Sequence, residues 1–205
     1  MDRSWSLSIV SHGHGPAISQ QLRSLSRLPT AAQAELLLTL NLPGEAEPDL
    51  GAWPGCVRFL RNAQPQSFAA NHNAAARAAA GTYFACLDPD LEWLDDPFPA
   101  LADWLDQPGQ GLAAPCILDE HGRLADHARP PPTPCSVLRR RLGGEDDGLP
   151  EPREPQPVPW LAGLFLASRR QTWLQLGGFD ERYRLYAEDV ELGLRCCVRG
   201  LGVSR

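Results

Sequence analysis

TYFACLDPDL, residues 82–91, decides how the chain is read: an apolar run of strand length stops abruptly at two aspartates that flank a proline. A continuous apolar run suits a strand covered on both faces, as in a parallel sheet. Working outward, AELLLTLNL (34–42) has the same character and is bounded by Pro43 and Gly44. WSLSIVSHG (5–13) is a shorter apolar run ending in Ser, His and Gly, and CVRFLRN (56–62), GLAAPCIL (111–118) and WLAGLFLASRR (160–170) add further strands. Helical patterns lie between them. ISQQLRSLSRL (18–28) spaces Ile18, Leu22, Leu25 and Leu28 at helical intervals before Pro29. SFAANHNAAARAAAG (67–81) reads as a loop leading into an Ala-rich helix that stops at Gly81. PFPALADWLDQ carries proline in its first turn, and QTWLQL ends in a Gly-Gly cap. Strands alternating with helices through short links predict an α/β domain with a mostly parallel sheet. At 205 residues, one domain is expected, spanning 1–205. The segment 128–159 holds nine prolines and few apolar residues, so it is expected to be a long mobile loop.

Composition narrows the function. The net charge of −6 argues against a general nucleic-acid surface. No apolar run approaches 18 residues, so no membrane span is expected, and the first residues lack the pattern of a secretory signal. The six cysteines, at 56, 86, 116, 135, 196 and 197, show no CxxC spacing and read as small core hydrophobes in a reducing cytosol. All 19 basic residues are arginine, which removes Schiff-base lysine chemistry and the P-loop lysine.

In an open α/β sheet, ligands bind beyond the carboxyl ends of the strands. That directs attention to SHG, to NLPGE and to DPD. Asp88 and Asp90 sit where a buried strand surfaces, and carboxylate oxygens suit a hard divalent cation that also takes water or phosphate ligands. An ordinary Asp-Pro-Asp turn explains the same tripeptide. Asn71 and Asn73 stand near a helix start, where amides and the helix end favour a phosphate, and N-capping would account for one of them. Arg77 is read as a surface ion pair. The run GGFDERYRLYAEDVELGLR (177–195) ends in a helix whose Val190, Leu194, Cys197 and Val198 form an apolar stripe at helical spacing. Glu188, Asp189 and Glu191 suit its first turn, and Glu191 with Arg195 makes an i,i+4 pair. Helix chemistry leaves GGFDE and the pair Tyr183, Tyr186 unexplained. Taken with DPD, Asp189 is a candidate general base.

The ordered set of strand-SHG, ANHNAAARAAAGTYFACLDPDL and GLFLASRRQTWLQLGGFDERYRLYAEDVELGLR resembles a family-2 glycosyltransferase of the GT-A fold, in its bacterial rhamnosyltransferase-like branch. The resemblance covers about three-quarters of the chain and leaves out mainly the Pro-rich segment. It implies an inverting transfer of sugar from a nucleotide-diphosphate donor, UDP- or dTDP-linked, to a hydroxyl of a glycan or lipid-linked acceptor in polysaccharide assembly. It implies a divalent metal, Mg or Mn, with Asp90 as its main ligand and Asp88 standing where many members carry Asn. Ser11, His12, Gly13, Asn41, Asn71 and Asn73 fall on the donor side, and Asn41 departs from the Asp that many members place against the nucleobase. Asp189 matches the general base, and Asp180, Glu181 and Glu188 fall on the acceptor side. A cytoplasmic location is expected, with peripheral association at the inner face of a membrane. Two other readings stay open: a catalytically degenerate domain that binds a nucleotide sugar or a partner, and a nucleotidyltransferase. The chain stops six residues after its last helix, which leaves acceptor choice unread.

Overall fold

A computed structural model describes residues 3–125 and 155–205. In chain order these form β1 (Trp5–Ser11), α1 (Gly15–Leu25), a 3-10 turn (Pro29–Gln33), β2 (Glu35–Leu40), β3 (Cys56–Arg61), α2 (Phe68–Ala78), β4 (Tyr83–Leu87), α3 (Phe98–Leu105), β5 (Gln110–Ala113), β6 (Phe165–Arg169), α4 (Arg170–Leu176), α5 (Glu188–Val198) and β7 (Gly202–Ser204). The strands build one sheet in the order β3-β2-β1-β4-β6-β5-β7. β3, β2, β1 and β4 run parallel. β6 is inserted antiparallel between β4 and β5, and β7 is parallel to β5. The sheet is therefore mostly parallel, as the apolar runs predict, with one reversed strand.

Alternation of side chains along each strand divides the core into two layers. On one face Leu7, Ile9, Leu36, Leu38, Tyr83, Ala85 and Leu87 pack against Ile18 and Leu22 of α1 and Phe98 of α3. On the other, Leu37, Phe84, Cys86 and Leu166 pack against α2, Trp173 of α4 and Leu192 and Cys196 of α5. Both layers are apolar, which is why these strands read as unbroken hydrophobic runs.

Four local expectations change. Helix α2 starts at Phe68 rather than after the asparagines, because the Ser67 hydroxyl caps it by accepting from the Ala70 N–H at 3.2 Å. Asn71 and Asn73 thus lie inside the helix. The strand expected from Trp160 begins only at Phe165. In α5 the buried side is Leu192, Gly193 and Cys196, while Leu194, Cys197 and Val198 of the expected stripe are exposed. Gly193 explains the choice: a Cβ there would meet the Trp160 Cβ at 2.7 Å, so only glycine lets the helix approach that close. Finally, β7 forms where no strand was read, and Gln156 and Val158 pair with Arg205 and Val203 beside it. The end of the expected Pro-rich loop is therefore bonded backbone; its residues 128–154 lie outside the described residues. Of the cysteines, Cys86 and Cys196 are core hydrophobes as read, whereas Cys56, Cys116 and Cys197 are exposed thiols; Cys135 lies outside the described residues.

Candidate active site

Strands β2, β1 and β4 are neighbours and parallel, so their carboxyl ends place Asn41, Ser11 and Asp88 along one edge of the sheet. Because β6 runs the other way, its start joins the same edge, with Phe165 opposite Leu87. This is where a ligand binds in an open α/β sheet.

Asp88 leaves β4 half-buried and donates its N–H to the Leu164 carbonyl at 2.9 Å. Asp90, two residues on, is exposed. Burial, and then the charge of Asp90, pushes the Asp88 carboxyl up to about 7. Asp189, at the start of α5, accepts from the Gly163 N–H at 3.1 Å and from the Val190 N–H at 2.7 Å. Burial raises it as well, against the opposing pull of these backbone hydrogen bonds. Gly163 and Leu164 are consecutive, so one short stretch of backbone ties the DPD turn to the start of α5. Residues a hundred positions apart are thereby held to the same pair of main-chain units.

The approach to Asp189 is strained. Tyr186 and Ala187 both adopt left-handed backbone, with φ of 69° and 72°. Non-glycine residues there cost about 1–3 kcal/mol each and persist only where surroundings impose them. Glu188 lies directly after them, 5% exposed, with one carboxylate oxygen lacking a hydrogen-bond partner. Burial raises it, its own and the Tyr186 N–H groups oppose this, and Asp189's charge adds to the rise. Glu188 braces the turn from inside; it is no exposed wall of the cleft.

The β1–β2 corner is built differently. The Ser11 hydroxyl donates to Glu45, the Gly13 N–H donates to the same oxygen at 2.8 Å, and the Leu42 N–H donates to its partner oxygen at 3.1 Å. Burial alone would raise Glu45, but these bonds outweigh it and hold the carboxyl below its ordinary value. Asn41 is also saturated: its amide bonds the His12 ring at 3.0 Å and the Gln66 carbonyl at 3.1 Å, and its oxygen accepts from Asn62 and from the Gln66 N–H, both at 2.8 Å. Asn71 joins this knot by accepting from Asn62 at 2.6 Å. His12 is exposed at its edge.

Asn73 serves a third group. Its amide donates to the Phe179 carbonyl at 2.8 Å and to Glu181 at 3.0 Å, and its oxygen accepts from the Phe179 N–H at 2.9 Å. Gly178, with φ of 67°, passes so close that a Cβ would lie 2.1 Å from the Asn73 oxygen. Asn73 is thus a latch on GGFDE, and its hydrogen-bonding capacity is already engaged. Beside it lies a cavity of about 450 Å³ lined by Asn73, Asp180, Glu181, Arg182, Glu191 and Arg195. Asp180 is held down to about 2, first by the side chain of Arg182 at 2.6 Å. Arg77 pairs with Glu181 at 3.8 Å, and Arg195 with Glu191, as their spacing suggests. Asp88, Asp90 and Asp189 do not line this cavity.

Glu45 and the Gly163–Leu164 backbone were not read from sequence. Glu45 sits in a Gly- and Pro-containing turn with other acids, where nothing marks it out. Backbone groups carry no side-chain signal at all.

The family model for glycosyl transferase family 2 matches residues 45–145. An N-acetylglucosaminyl-diphospho-decaprenol L-rhamnosyltransferase of Mycobacterium tuberculosis is 37% identical over 125 residues, covering 53% of this chain and 39% of the relative. Rhamnosyltransferase WbbL of Escherichia coli is 25% identical over 130 residues, covering 61% of this chain and 49% of the relative. The chain thus spans less than half the length of either. Among solved structures, GalNAc-T7 with UDP, GalNAc and Mn2+ superposes with a TM-score of 0.73 at 20% identity, over 98% of this chain and 42% of that one.

Proposed function

This chain belongs to glycosyl transferase family 2, in its rhamnosyltransferase-like branch, and on that premise we propose that it moves a sugar, with inversion, from a nucleotide-diphosphate donor to a hydroxyl of a glycan or lipid-linked acceptor. Its fold is the GT-A fold. The observation that supports the reading is the backbone tie through Gly163 and Leu164, to which both Asp189 and the start of the Asp88–Asp90 turn are hydrogen-bonded.

Asp189 takes the proton of the acceptor hydroxyl as its oxygen bonds to the anomeric carbon. The bond from that carbon to the diphosphate breaks on the opposite face, and the nucleoside diphosphate departs with the electron pair. One displacement inverts the centre. Burial makes Asp189 a stronger base than an exposed aspartate, while its two backbone donors oppose that rise and hold the carboxylate in place. Asp88 and Asp90 suit a divalent cation, Mg or Mn, because burial and mutual repulsion leave Asp88 with charge to be compensated. Among the described residues no group of three or more His, Cys, Asp or Glu is placed to hold a metal ion, so the pair would share it with water and diphosphate oxygens. Such a cation would supply neutralisation of the leaving group. Ser11, His12 and Gly13, stiffened by Glu45 and Asn41, offer a wall for base and ribose. Asp180 and Glu181, latched by Asn73, shape the acceptor side.

Calorimetric titration of UDP and dTDP, with and without manganese, on the wild type and Asp90→Ala tests the donor site. Manganese-dependent binding that the variant loses is expected. A folded protein that binds neither nucleotide would sink the proposal.

A further inference from the structure

Phe68 opens α2 and is half-buried. The Ser67 cap fixes its backbone, with the Ala70 N–H donating to the Ser67 hydroxyl at 3.2 Å. Two other rings fix its side chain. His72 stands edge-on with ring centroids 4.4 Å apart, and Phe179 is tilted at 5.4 Å. Both are held in turn. His72 is 1% exposed, with Nδ1 hydrogen-bonded to the Ser8 hydroxyl at 2.9 Å, and burial drops it to about 3, so it stays an uncharged packing partner. Phe179 is 2% exposed, bonded to Asn73 through both its N–H and its carbonyl, and set edge-on against Trp173 at 4.9 Å. The rim of the Phe68 ring meets Gly163: a Cβ there would lie 3.1 Å from Cζ and 3.3 Å from Cε1. Gly163 is not among the residues with positive φ, so its backbone conformation is one that alanine adopts. The ring, not the turn, is what asks for glycine.

The Gly163 N–H donates to Asp189 at 3.1 Å. We propose that Phe68 is a positioning residue for the base: its ring sets the Gly163 main chain and thereby aims the Asp189 carboxylate. The inference rests on the sugar-transfer reading, which makes Asp189 the base, and adds to it a side chain on another element. Close-packed interiors transmit small displacements. A methyl at 163 would displace the ring or the main chain by a few tenths of an ångström. Catalytic groups need holding to within about 0.5 Å. Burial raises Asp189, and the N–H groups of Val190, Gly163 and Asp189 itself lower it. Its charged neighbour Glu188 is raised by burial and, less, by the Asp189 charge. Loosening the Gly163 bond therefore raises Asp189 further.

The test is a pH titration of the full chain by NMR, with isotope-labelled aspartate carboxyl groups. The Asp189 signal is the one lost in Asp189→Asn, and that of nearby Asp88 is the one lost in Asp88→Asn. Leucine has no atom that reaches as far as Cζ, so Phe68→Leu should loosen the Gly163 donor and move the Asp189 midpoint to higher pH. Gly163→Ala should move it the same way, because the methyl pushes the main chain off the ring. In the double variant the methyl fills the space that the ring rim leaves, and the midpoint should return toward that of wild type. In a product assay with the UDP- or dTDP-sugar that the nucleotide titration selects, kcat should fall about tenfold in each single variant and recover in the double. Leu25→Ala, fully buried in the other core layer, should lose stability and leave the midpoint in place. That variant separates aiming of the base from loosening of the core. Circular dichroism shows that each variant folds; if Gly163→Ala does not, Phe68→Leu decides alone. An unmoved midpoint in Phe68→Leu, or shifts that add in the double variant, overturns the proposal. The carboxyl titration needs neither donor nor acceptor. Near-wild-type turnover by Asp189→Asn would therefore sink the transfer role of Asp189 and leave the midpoint result standing.

Discussion

The two ends of the site edge hold their carboxylates in opposite ways. At the β1–β2 corner, Glu45 accepts three hydrogen bonds and lies below its ordinary pKa, while Asn41 is saturated with internal partners. At the β4–α5 end, Asp88, Asp189 and Glu188 are all raised, one Glu188 oxygen is unpartnered, and two residues before it are left-handed. The first arrangement is what a rigid wall needs. The second keeps groups that gain from a proton or a cation, as catalytic carboxylates commonly do. On the proposed reading, the first end is the rigid wall and the second is where the chemistry takes place.

The largest effect that would break this division is on turnover. Asp189→Asn keeps the acceptor oxygen for the Gly163 N–H but cannot take a proton. A loss of about 10²–10⁴ in kcat is expected, with manganese-dependent nucleotide affinity unchanged. Near-wild-type turnover in a product assay would remove Asp189 from the role of base. Next comes Asn73→Ala, which strips both the Phe179 N–H and its carbonyl of buried partners. Unsatisfied buried groups cost about 1–3 kcal/mol each, so denaturant unfolding should show a loss of about 2–4 kcal/mol. If stability were unchanged but donor affinity fell, Asn73 would be a ligand-facing residue after all.

That last point shows what the sequence could and could not reveal. The sheet was legible because strands covered on both faces leave continuous apolar runs, the Glu191–Arg195 pair follows from its spacing, and Arg77 makes the surface ion pair it was read for, with a partner, Glu181, that the sequence did not name. Asn41, Asn71 and Asn73 were singled out as polar residues at strand and helix ends, but a sequence does not show which partner an amide meets. Each meets the protein itself. The α5 stripe misled for a related reason: Val190, Leu194, Cys197 and Val198 outweigh Gly193 on any hydrophobic scale. Yet the glycine, by its lack of bulk, admits Trp160 and decides which side is buried. The tie through Gly163 and Leu164 was invisible because it is made of main chain.

A sharper comparison comes from pH. Asp88 is raised from its ordinary value to about 7, so its contribution to stability is fully present below about 3.8 and is lost as pH rises through about 7. Asp88→Asn imitates the protonated form. Without metal, it should raise stability at pH 8 by about 1–2 kcal/mol after allowance for solvent screening. It should also flatten the slope between pH 4 and pH 7 on the same scale. An unchanged slope in urea melts with chelator present would mean that Asp88 titrates as an exposed carboxylate.

The smallest effect has the opposite sign. Glu45 is lowered, so its contribution is present above its ordinary value and is lost as pH falls through the folded value. Glu45→Gln keeps a neutral acceptor for Ser11, Gly13 and Leu42 but gives up the charge that strengthens those bonds. A loss of about 1 kcal/mol is expected at pH 7. The variant and wild-type curves should converge on acidification, since a protonated Glu45 is no better an acceptor than the amide. Wild type thus gains from one end and loses from the other as acid is added, and the two variants separate these limbs. If Glu45→Gln cost as much at pH 3 as at pH 7, the loss would come from packing of the SHG turn. The rigid end would then owe its stiffness to shape rather than to charge.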